Sequence, residues 1–278
     1  MNQPVEPTSG LLHALAWQVE LGADEAIAEA PIDRFAESVA ASAAGAASAE
    51  RRGTAVAAST AADAPPGPAA AEADTPQALA AAATTLEELA DAMRGFEGSD
   101  LKQGARSFVF CDGVPGARVM VIGEAPGGDE DRIGKPFVGR AGQLLDRMLA
   151  AIGLSRTAPA PQDAAYITNI LPWRPPGNRT PSQQEVSQFL PFIERHIELA
   201  KPDFIFSIGN TPTKTLLDTA TGIKRMRGRW VRHQASGLPL LPSFHPAYLL
   251  RQPADKRLAW RDLLSLRAAL DGEGPDLA

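Results

Sequence analysis

Residues 118–131 read RVMVIGEAPGGDED, and this stretch decides how the rest of the chain is interpreted. Its apolar run, VMVI at 119–122, shows no alternation with polar residues, which is typical of a strand buried on both faces of a sheet. Gly123 then begins a turn that contains a carboxylate, Glu124, and three more acids follow at 129–131. The stretch therefore predicts a buried strand whose carboxyl end presents a carboxylate.

Three other short apolar runs have the length and composition of buried strands. With the first run they give four predicted strands, at residues 118–122, 165–170, 203–208 and 238–244. Helical patterns lie between them at 143–152, 181–200 and 211–217, the second with Thr180 as its cap and Pro181 in its first turn. The alternation predicts the α/β class, as a three-layer α/β/α sandwich around a central four-stranded parallel sheet.

The rest of the chain divides by composition. Residues 1–38 place apolar side chains at helical spacing and predict an N-terminal helical segment, whereas 39–75 are rich in alanine and proline and predict a disordered linker. Thr84, Thr85 and Glu88 resemble a helix start. The compact domain is expected at 76–270, followed by an acidic tail at 271–278.

Composition excludes several classes of protein. A single cysteine, Cys111, excludes an intramolecular disulfide, a four-cysteine zinc site and a four-cysteine iron–sulfur cluster. No apolar run has the roughly 18 residues of a membrane span, and the N-terminus lacks a secretory pattern, so we expect a cytoplasmic protein without a membrane partner. The net charge of −6 divides into −12 for residues 1–100, +1 for 101–170, +8 for 171–270 and −3 for 271–278.

Polar groups follow all four predicted strands. These are Glu124 after the first strand, Asn169 at the end of the second, Gly209 and Asn210 after the third, and His245 after the fourth. Because ligands bind beyond the carboxyl ends of parallel strands, these residues predict an active site at one edge of the sheet.

Competing motifs do not match. Around Gly134 and Lys135 a phosphate-binding loop would need a glycine where Asp129 stands and Ser or Thr where Pro136 stands. The turn GEAPGG also lacks the dinucleotide-binding pattern G-x-G-x-x-G. A metal site built from the acids at 129–131 stays open, although adjacent carboxylates point in different directions and no histidine is near; we predict no metal.

Several motifs, in order, are similar to those of the family 4 uracil-DNA glycosylases. They are GEAPGGDED at 123–131, PFVG at 136–139, YITN at 166–169, RPPGNR at 174–179 and HPAYLL at 245–250. The resemblance covers about residues 95–265 and implies an enzyme that flips uracil out of DNA, hydrolyses its N-glycosidic bond and leaves an abasic site.

The resemblance implies a role for each motif residue. His245 would donate to the uracil oxygen as negative charge develops, Asn169 would match the N3–H and O4 edge, and Phe137 would stack on the flipped ring. Glu124 would position water or stabilise the sugar cation, with Glu130 as a helper or merely a solvated acid. The rest of the predicted base-binding set is Gly123, Ala125, Pro126, Gly127 and Asn178.

The positive region at 171–270 is interpreted as a DNA-binding surface. Arginines and lysines neutralise phosphates, and an apolar side chain after His245 can fill the gap left by a flipped base, although it can equally belong to the core. The predicted DNA contacts are Arg174, Arg179, Arg227, Arg229, Leu250 and Arg251. We expect a monomer that acts on single- or double-stranded DNA, with residues 1–75 available to a repair or replication partner.

The chain also departs from the family pattern. Phe96, Ser99, Trp173 and about Phe189 stand where the family has the four cysteines of a 4Fe–4S cluster, so no cofactor is expected and side chains should fill that volume. Gly127 stands where a related branch has a tyrosine that excludes thymine, so base specificity could extend to other deaminated bases. The alternative function is a non-catalytic or slow binder of damaged or abasic DNA.

Overall fold

The structure is a computed structural model and describes residues 75–275 and residue 277. The predicted N-terminal helical segment, and all of the predicted linker except Thr75, lie outside the described residues. The first described helix begins at Pro76, with Thr75 as its cap, and the last helix of the predicted compact region ends at Leu270.

Within the described residues, six strands form one sheet in the order β1-β3-β2-β4-β6-β5. The central strands β3, β2, β4 and β6 are parallel, whereas β1 pairs antiparallel with β3 and β5 pairs antiparallel with β6. The bounds are β1 (Cys111–Gly113), β2 (Val119–Gly123), β3 (Ala165–Asn169), β4 (Phe204–Ile208), β5 (Val231–Arg232) and β6 (Pro239–Ser243).

Helices connect the strands and cover both faces of the sheet. They are α1 (Pro76–Ala82), α2 (Leu86–Gly95), α3 (Leu101–Gly104), α4 (Gly128–Ile133), α5 (Arg140–Ala150), α6 (Gln183–Ala200), α7 (Asn210–Leu216), α8 (Ile223–Met226), α9 (Pro246–Arg251) and α10 (Lys256–Leu270). Single 3₁₀ turns lie at Pro161–Asp163, Pro176–Asn178 and Pro253–Asp255.

The sheet separates two hydrophobic cores. Met120 and Ile122 of β2 point into one core, which α1, α2 and α6 cover, and Val119 and Val121 point into the other, which α5 and α10 cover. This alternation follows from the two-residue repeat of a strand, and all five residues of β2 are buried. The predicted three-layer α/β/α sandwich is therefore confirmed.

The structure adds detail that the sequence did not predict. The two antiparallel edge strands, β1 and β5, were not predicted. The predicted cap of the long helix was wrong: α6 begins at Gln183, and Ser182 and Glu185 form a reciprocal capping box instead of Thr180. Thr85 caps α2 by accepting from the Glu88 amide, as predicted. No helix among residues 75–275 is long and apolar enough to cross a membrane.

Candidate active site

The site lies at the carboxyl end of β2. The chain continues from β2 to the strand on one side, β3, and later to the strand on the other side, β4. Gly123 is in register with Asn169. Backbone bonds from the Ile170 and Leu171 amides to the carbonyls of Gly123 and Glu124 keep the chains together beyond the strands. Such a switch point leaves a crevice at the carboxyl ends of the strands.

A cavity of about 600 Å³ opens at this crevice. The structure brings together there most of the residues that the sequence predicted. The predicted residues that line the cavity are Glu124, Ala125, Pro126, Gly127, Glu130, Phe137, Asn169, Asn178, Arg179, His245 and Arg251. Gly209 and Asn210, which the sequence also placed at this edge, line it as well. Further lining residues are Thr180, Lys224 in the positive region and Tyr248 in the HPAYLL motif.

Phe137 forms an aromatic wall of the cavity. It is 6% exposed, and its ring centroid lies 5.5 Å from that of His245, tilted by 34°. Its backbone has φ of 54°, in the left-handed region that non-glycine residues adopt only with strain. The chain therefore holds this ring in place against a local conformational cost.

Asn169 lines the cavity with an amide whose oxygen is unpaired. Its side chain is 3% exposed, and within the described part of the chain its Oδ1 has no hydrogen-bond partner. Gly123 makes room for it, since a Cβ on Gly123 would lie 2.5 Å from Asn169 Oδ1 and 2.5 Å from Phe137 Cζ. A buried acceptor without a partner is costly, so this geometry suits a ligand that donates a hydrogen bond.

His245 is held in one tautomer at the start of α9. Its Nδ1 accepts a 3.1 Å hydrogen bond from the Ala247 amide, so a neutral ring has its proton on Nε2. Burial, together with the positive charge of Arg251, lowers the pKa of His245 to about 4, against an opposite effect of Glu130. Gly209 packs beside this ring at φ of 111°, a backbone conformation that residues other than glycine rarely adopt, whereas a Cβ there would reach only ordinary contact, 3.4 Å, with His245.

Glu124 has a partner that the sequence did not identify. The hydroxyl of Thr211, in the first turn of α7, donates to Glu124 Oε2 at 2.5 Å. Glu124 is half-buried at the cavity wall, so this bond fixes the direction in which one carboxylate oxygen points. Thr211 directly follows Asn210 in the turn after β4, and this position beyond the carboxyl end of a strand was the signal in the sequence that could have identified it.

Glu130 makes structural hydrogen bonds that the sequence did not predict, whereas its role as a catalytic helper stays a prediction. One carboxylate oxygen accepts from the Val138 and Gly139 amides, both at 2.9 Å, and the other accepts from the Gly127 amide at 3.1 Å. With three backbone donors, the carboxylate joins the GEAPG turn to the loop that contains Phe137. Glu130 is therefore a positioning residue.

The other acids of the stretch also have protein partners. Asp129 pairs with Arg132 at 3.1 Å, and the buried Asp131 accepts from the amides of Arg106 and Ser107 at 2.7 and 3.1 Å. In residues 75–275 and 277, no group of three His, Cys, Asp or Glu side chains is arranged to hold a metal ion.

The structure places some predicted DNA contacts away from the cavity. Arg227 makes an ion pair with Asp262, which is 1% exposed, and also donates to the carbonyl of Leu258. Its Nε and Nη2 donors are therefore engaged by Asp262 and Leu258 away from the cavity, and its predicted contact with DNA stays a prediction. Arg229 lines a separate cavity beside α10. Leu250 is partly buried against the α5/α10 core, and a core position was one of the two alternatives for it, the other being a wedge into DNA.

Two arginines of the RPPGNR segment lie near the cavity with partners of their own. Arg174 donates to Asn178 Oδ1 at 2.8 Å and packs over Gly128. Arg179 lies at the cavity wall and makes a bidentate pair with Glu185 at 2.6 and 2.8 Å. Arg251 and Lys224 are exposed at the cavity rim.

The residues at the four cysteine positions do not fit an iron–sulfur cluster. Phe96 meets Phe189 edge to face at 5.9 Å and Phe192 at 5.7 Å, and Trp173 packs in the same buried core. Ser99 is 7% exposed, and its hydroxyl has no hydrogen-bond partner within the described residues. None of these side chains is a thiolate, so we assign no step to a cluster.

Comparison with known proteins gives consistent matches. The model of the uracil DNA glycosylase superfamily matches residues 110–264. The Type-4 uracil-DNA glycosylase of Sulfurisphaera tokodaii is 32% identical over 191 residues, which cover 66% of this chain and 84% of that protein. Its counterpart in Saccharolobus solfataricus is 34% identical over 195 residues, covering 68% and 88%, and that of Thermotoga maritima is 34% identical over 172 residues, covering 60% and 84%.

Proposed function

Because this chain belongs to the uracil DNA glycosylase superfamily, we propose that it hydrolyses the N-glycosidic bond of a uracil flipped out of DNA and leaves an abasic site. The observation that supports this proposal most directly is the cavity at the switch point of the sheet, which is lined by the unpaired amide oxygen of Asn169, the ring of Phe137 and the imidazole of His245. Several curated relatives, 32–34% identical to this chain, are named Type-4 uracil-DNA glycosylases, which supports the same reaction.

Asn169 and Phe137 would bind the base. The N3–H of uracil is a donor that fits the unpaired Oδ1 of Asn169, and the amide NH₂ can donate to uracil O4. Cytosine offers an acceptor and a donor in the opposite order and would leave the buried amide unsatisfied. The ring of Phe137 offers a flat apolar surface on which the base can stack.

His245 would stabilise the departing base. Cleavage of the glycosidic bond moves negative charge onto uracil, and a donor placed where that charge develops lowers the barrier. The proton on Nε2 is available for this bond because Nδ1 is already used by the Ala247 amide. A neutral imidazole suits the role, since the lowered pKa of His245 keeps the ring neutral at physiological pH.

Glu124 would act on the sugar side. Its carboxylate, aligned by Thr211, can orient a water molecule for attack or stabilise the oxocarbenium-like sugar. Both roles require a fixed anion at the cavity wall, and the bond to Thr211 satisfies that requirement.

Selectivity at the base would be broader than for uracil alone. Gly127 lines the cavity without a side chain, and a Cβ there would lie 2.8 Å from Glu130 Oε2, so a larger residue would have to displace the carboxylate that accepts from the Gly127 amide. We therefore propose that other deaminated bases, such as hypoxanthine and xanthine, enter the site.

DNA would approach the rim of the cavity from the side of α8 and α9. Lys224 and Arg251 are exposed there and can neutralise phosphates on either side of a flipped nucleotide. The proposed enzyme acts as a monomer, on single- or double-stranded DNA.

A panel of labelled oligonucleotides, each with one uracil, hypoxanthine, xanthine or thymine, tests the proposal after incubation and alkaline cleavage. We expect cleavage at uracil by the wild type and a strong loss in Asn169→Ala, with binding of the uracil oligonucleotide measured in parallel. Binding without cleavage of any base would replace the proposed function with that of a binder of damaged DNA.

A further inference from the structure

Phe137 is held in its strained conformation from two sides. On one side Glu130 accepts from the amides of the next two residues, Val138 and Gly139. On the other side, Arg156 donates to the carbonyls of Pro136 and Phe137, both at 2.9 Å. A phenylalanine with a left-handed backbone conformation persists only where surrounding contacts hold it. Here the contacts come from two side chains of opposite charge, Glu130 and Arg156.

Arg156 is itself firmly anchored. Its side chain is 11% exposed, and it donates to Asp112 at 3.1 Å and to Asp146 at 2.8 Å. Asp112 comes from the edge strand β1, and it also pairs with Lys135 at 3.1 Å. Burial raises the pKa of Asp112, but hydrogen bonds from Arg156 and Lys135 more than offset this and leave it lowered, so Asp112 is a charged partner at neutral pH.

The loop has little freedom to relax in another way. A Cβ on Gly142 would lie 1.8 Å from the Phe137 carbonyl oxygen, so the first turn of α5 packs directly against the peptide that Arg156 holds. The fork of a guanidinium can bind both carbonyls at once, which a lysine ammonium does not reproduce with the same geometry.

We propose that Arg156, which lies outside the cavity, is a positioning residue of the active site: it binds the Pro136 and Phe137 carbonyls and so fixes the Phe137 ring beside His245. This inference rests on the proposed function only for its effect on catalysis. The effect on the loop itself can be measured without any substrate.

The first test is hydrogen exchange at the Val138 and Gly139 amides in Arg156→Lys. The matched control is Arg195→Lys, because Arg195 also donates to a backbone carbonyl, that of Ala83, and pairs with a carboxylate far from the cavity. We expect exchange at these two amides to rise about tenfold in Arg156→Lys and not in the control. Unchanged exchange would overturn the proposal. If Arg156→Lys does not fold, Asp146→Asn removes one anchor and should give a smaller rise.

The second test is a double-mutant cycle with Phe137→Ala, measured as the single-turnover rate of uracil release. If Arg156 acts through Phe137, Arg156→Lys should lower the rate about tenfold in the wild-type background and less than twofold in the Phe137→Ala background. An equal loss in both backgrounds would contradict the proposal. If the wild type releases no uracil, the proposed function fails, and hydrogen exchange alone decides whether Arg156 holds the loop.

Discussion

The hydroxyl of Thr211 donates to the carboxylate of Glu124 across 2.5 Å, and this bond joins the ends of β4 and β2 at the cavity wall. It leaves the second carboxylate oxygen of Glu124 available for water or for the sugar. Thr211 thus orients the carboxylate that the proposed mechanism needs.

Replacing Thr211 with valine keeps the shape of the side chain and removes this bond. We expect the single-turnover rate of uracil release to fall about tenfold, because a hydrogen bond to a charged group is lost where the geometry of Glu124 matters. Thr215→Val is the matched control, since Thr215 lies one turn further along α7 and outside the cavity. Equal rates for Thr211→Val and wild type would contradict the role of this bond.

Glu130→Gln should cost stability. The amide nitrogen of glutamine cannot accept from the Gly127, Val138 or Gly139 amides, so at least one half-buried donor loses its partner, at a cost of about 1 kcal/mol in the free energy of unfolding. Denaturant unfolding measures this cost. Asp129→Asn, which alters an exposed pair with Arg132, should change stability much less. A Glu130→Gln protein as stable as the wild type would restore the interpretation of Glu130 as a solvated acid.

Gly123→Ala should lower the rate of uracil release more than it lowers the stability of the fold. The new Cβ would meet both Asn169 Oδ1 and Phe137 Cζ at 2.5 Å, so one or both must move away from the base. We expect a loss of uracil release of at least about tenfold, because small displacements of positioning groups are costly in rate. Gly95→Ala is the control, since a Cβ on Gly95 meets nothing within 4 Å. Wild-type activity in Gly123→Ala would show that the close packing of Gly123 against Asn169 and Phe137 does not matter for catalysis.

The pKa of His245 gives a test by NMR. Burial and Arg251 lower it to about 4, so the folded protein binds a proton at His245 more weakly than the unfolded chain. Acid therefore favours unfolding as the pH falls from the ordinary histidine value, roughly 6.5, toward the lowered one. At neutral pH we expect ¹⁵N shifts of a neutral ring protonated on Nε2. A ring protonated on Nδ1, or one that titrates near its ordinary pKa, would contradict the proposed donor.

The aromatic packing at the positions where the resemblance implies cysteines predicts a stable protein without iron. Phe189→Ala should lower the free energy of unfolding by about 3–5 kcal/mol, because Phe189 is fully buried against Phe96 and Phe192. Trp260→Ala, at 42% exposure, is the control and should cost far less. Iron bound in stoichiometric amount after anaerobic purification would overturn the proposal that no cluster is held.

The sequence predicted the four central strands because each is an uninterrupted apolar run, and it placed Glu124, Asn169 and His245 together because parallel strands share one carboxyl edge. It missed β1 and β5, which have three and two residues and pair at the edges of the sheet without an apolar pattern. These strands depend on tertiary pairing, which no local pattern encodes.

Hydrogen-bond and ion-pair partners that are distant in sequence could not be predicted either, because they too depend on tertiary structure. Arg227 looked like part of a DNA-binding run, but its carboxylate partner, Asp262, lies 35 residues away in the chain. The bonds of Glu130 to Val138 and Gly139 span 8 and 9 residues and depend on how the loop folds back. A charged residue in a motif indicates that it will make an ion pair or a hydrogen bond. Only the fold decides which group is its partner.

The central claim is that this chain excises uracil with His245 as the donor to the departing base and without a metal ion. The most direct measurement is alkaline cleavage of a labelled uracil oligonucleotide after incubation with the wild type and with His245→Ala, both in excess EDTA. We predict cleavage by the wild type and a rate about 10²–10³-fold lower in the variant, as expected for the loss of one such donor. Uracil left in place by a wild type that binds the oligonucleotide, or equal rates for the two proteins, would contradict the claim.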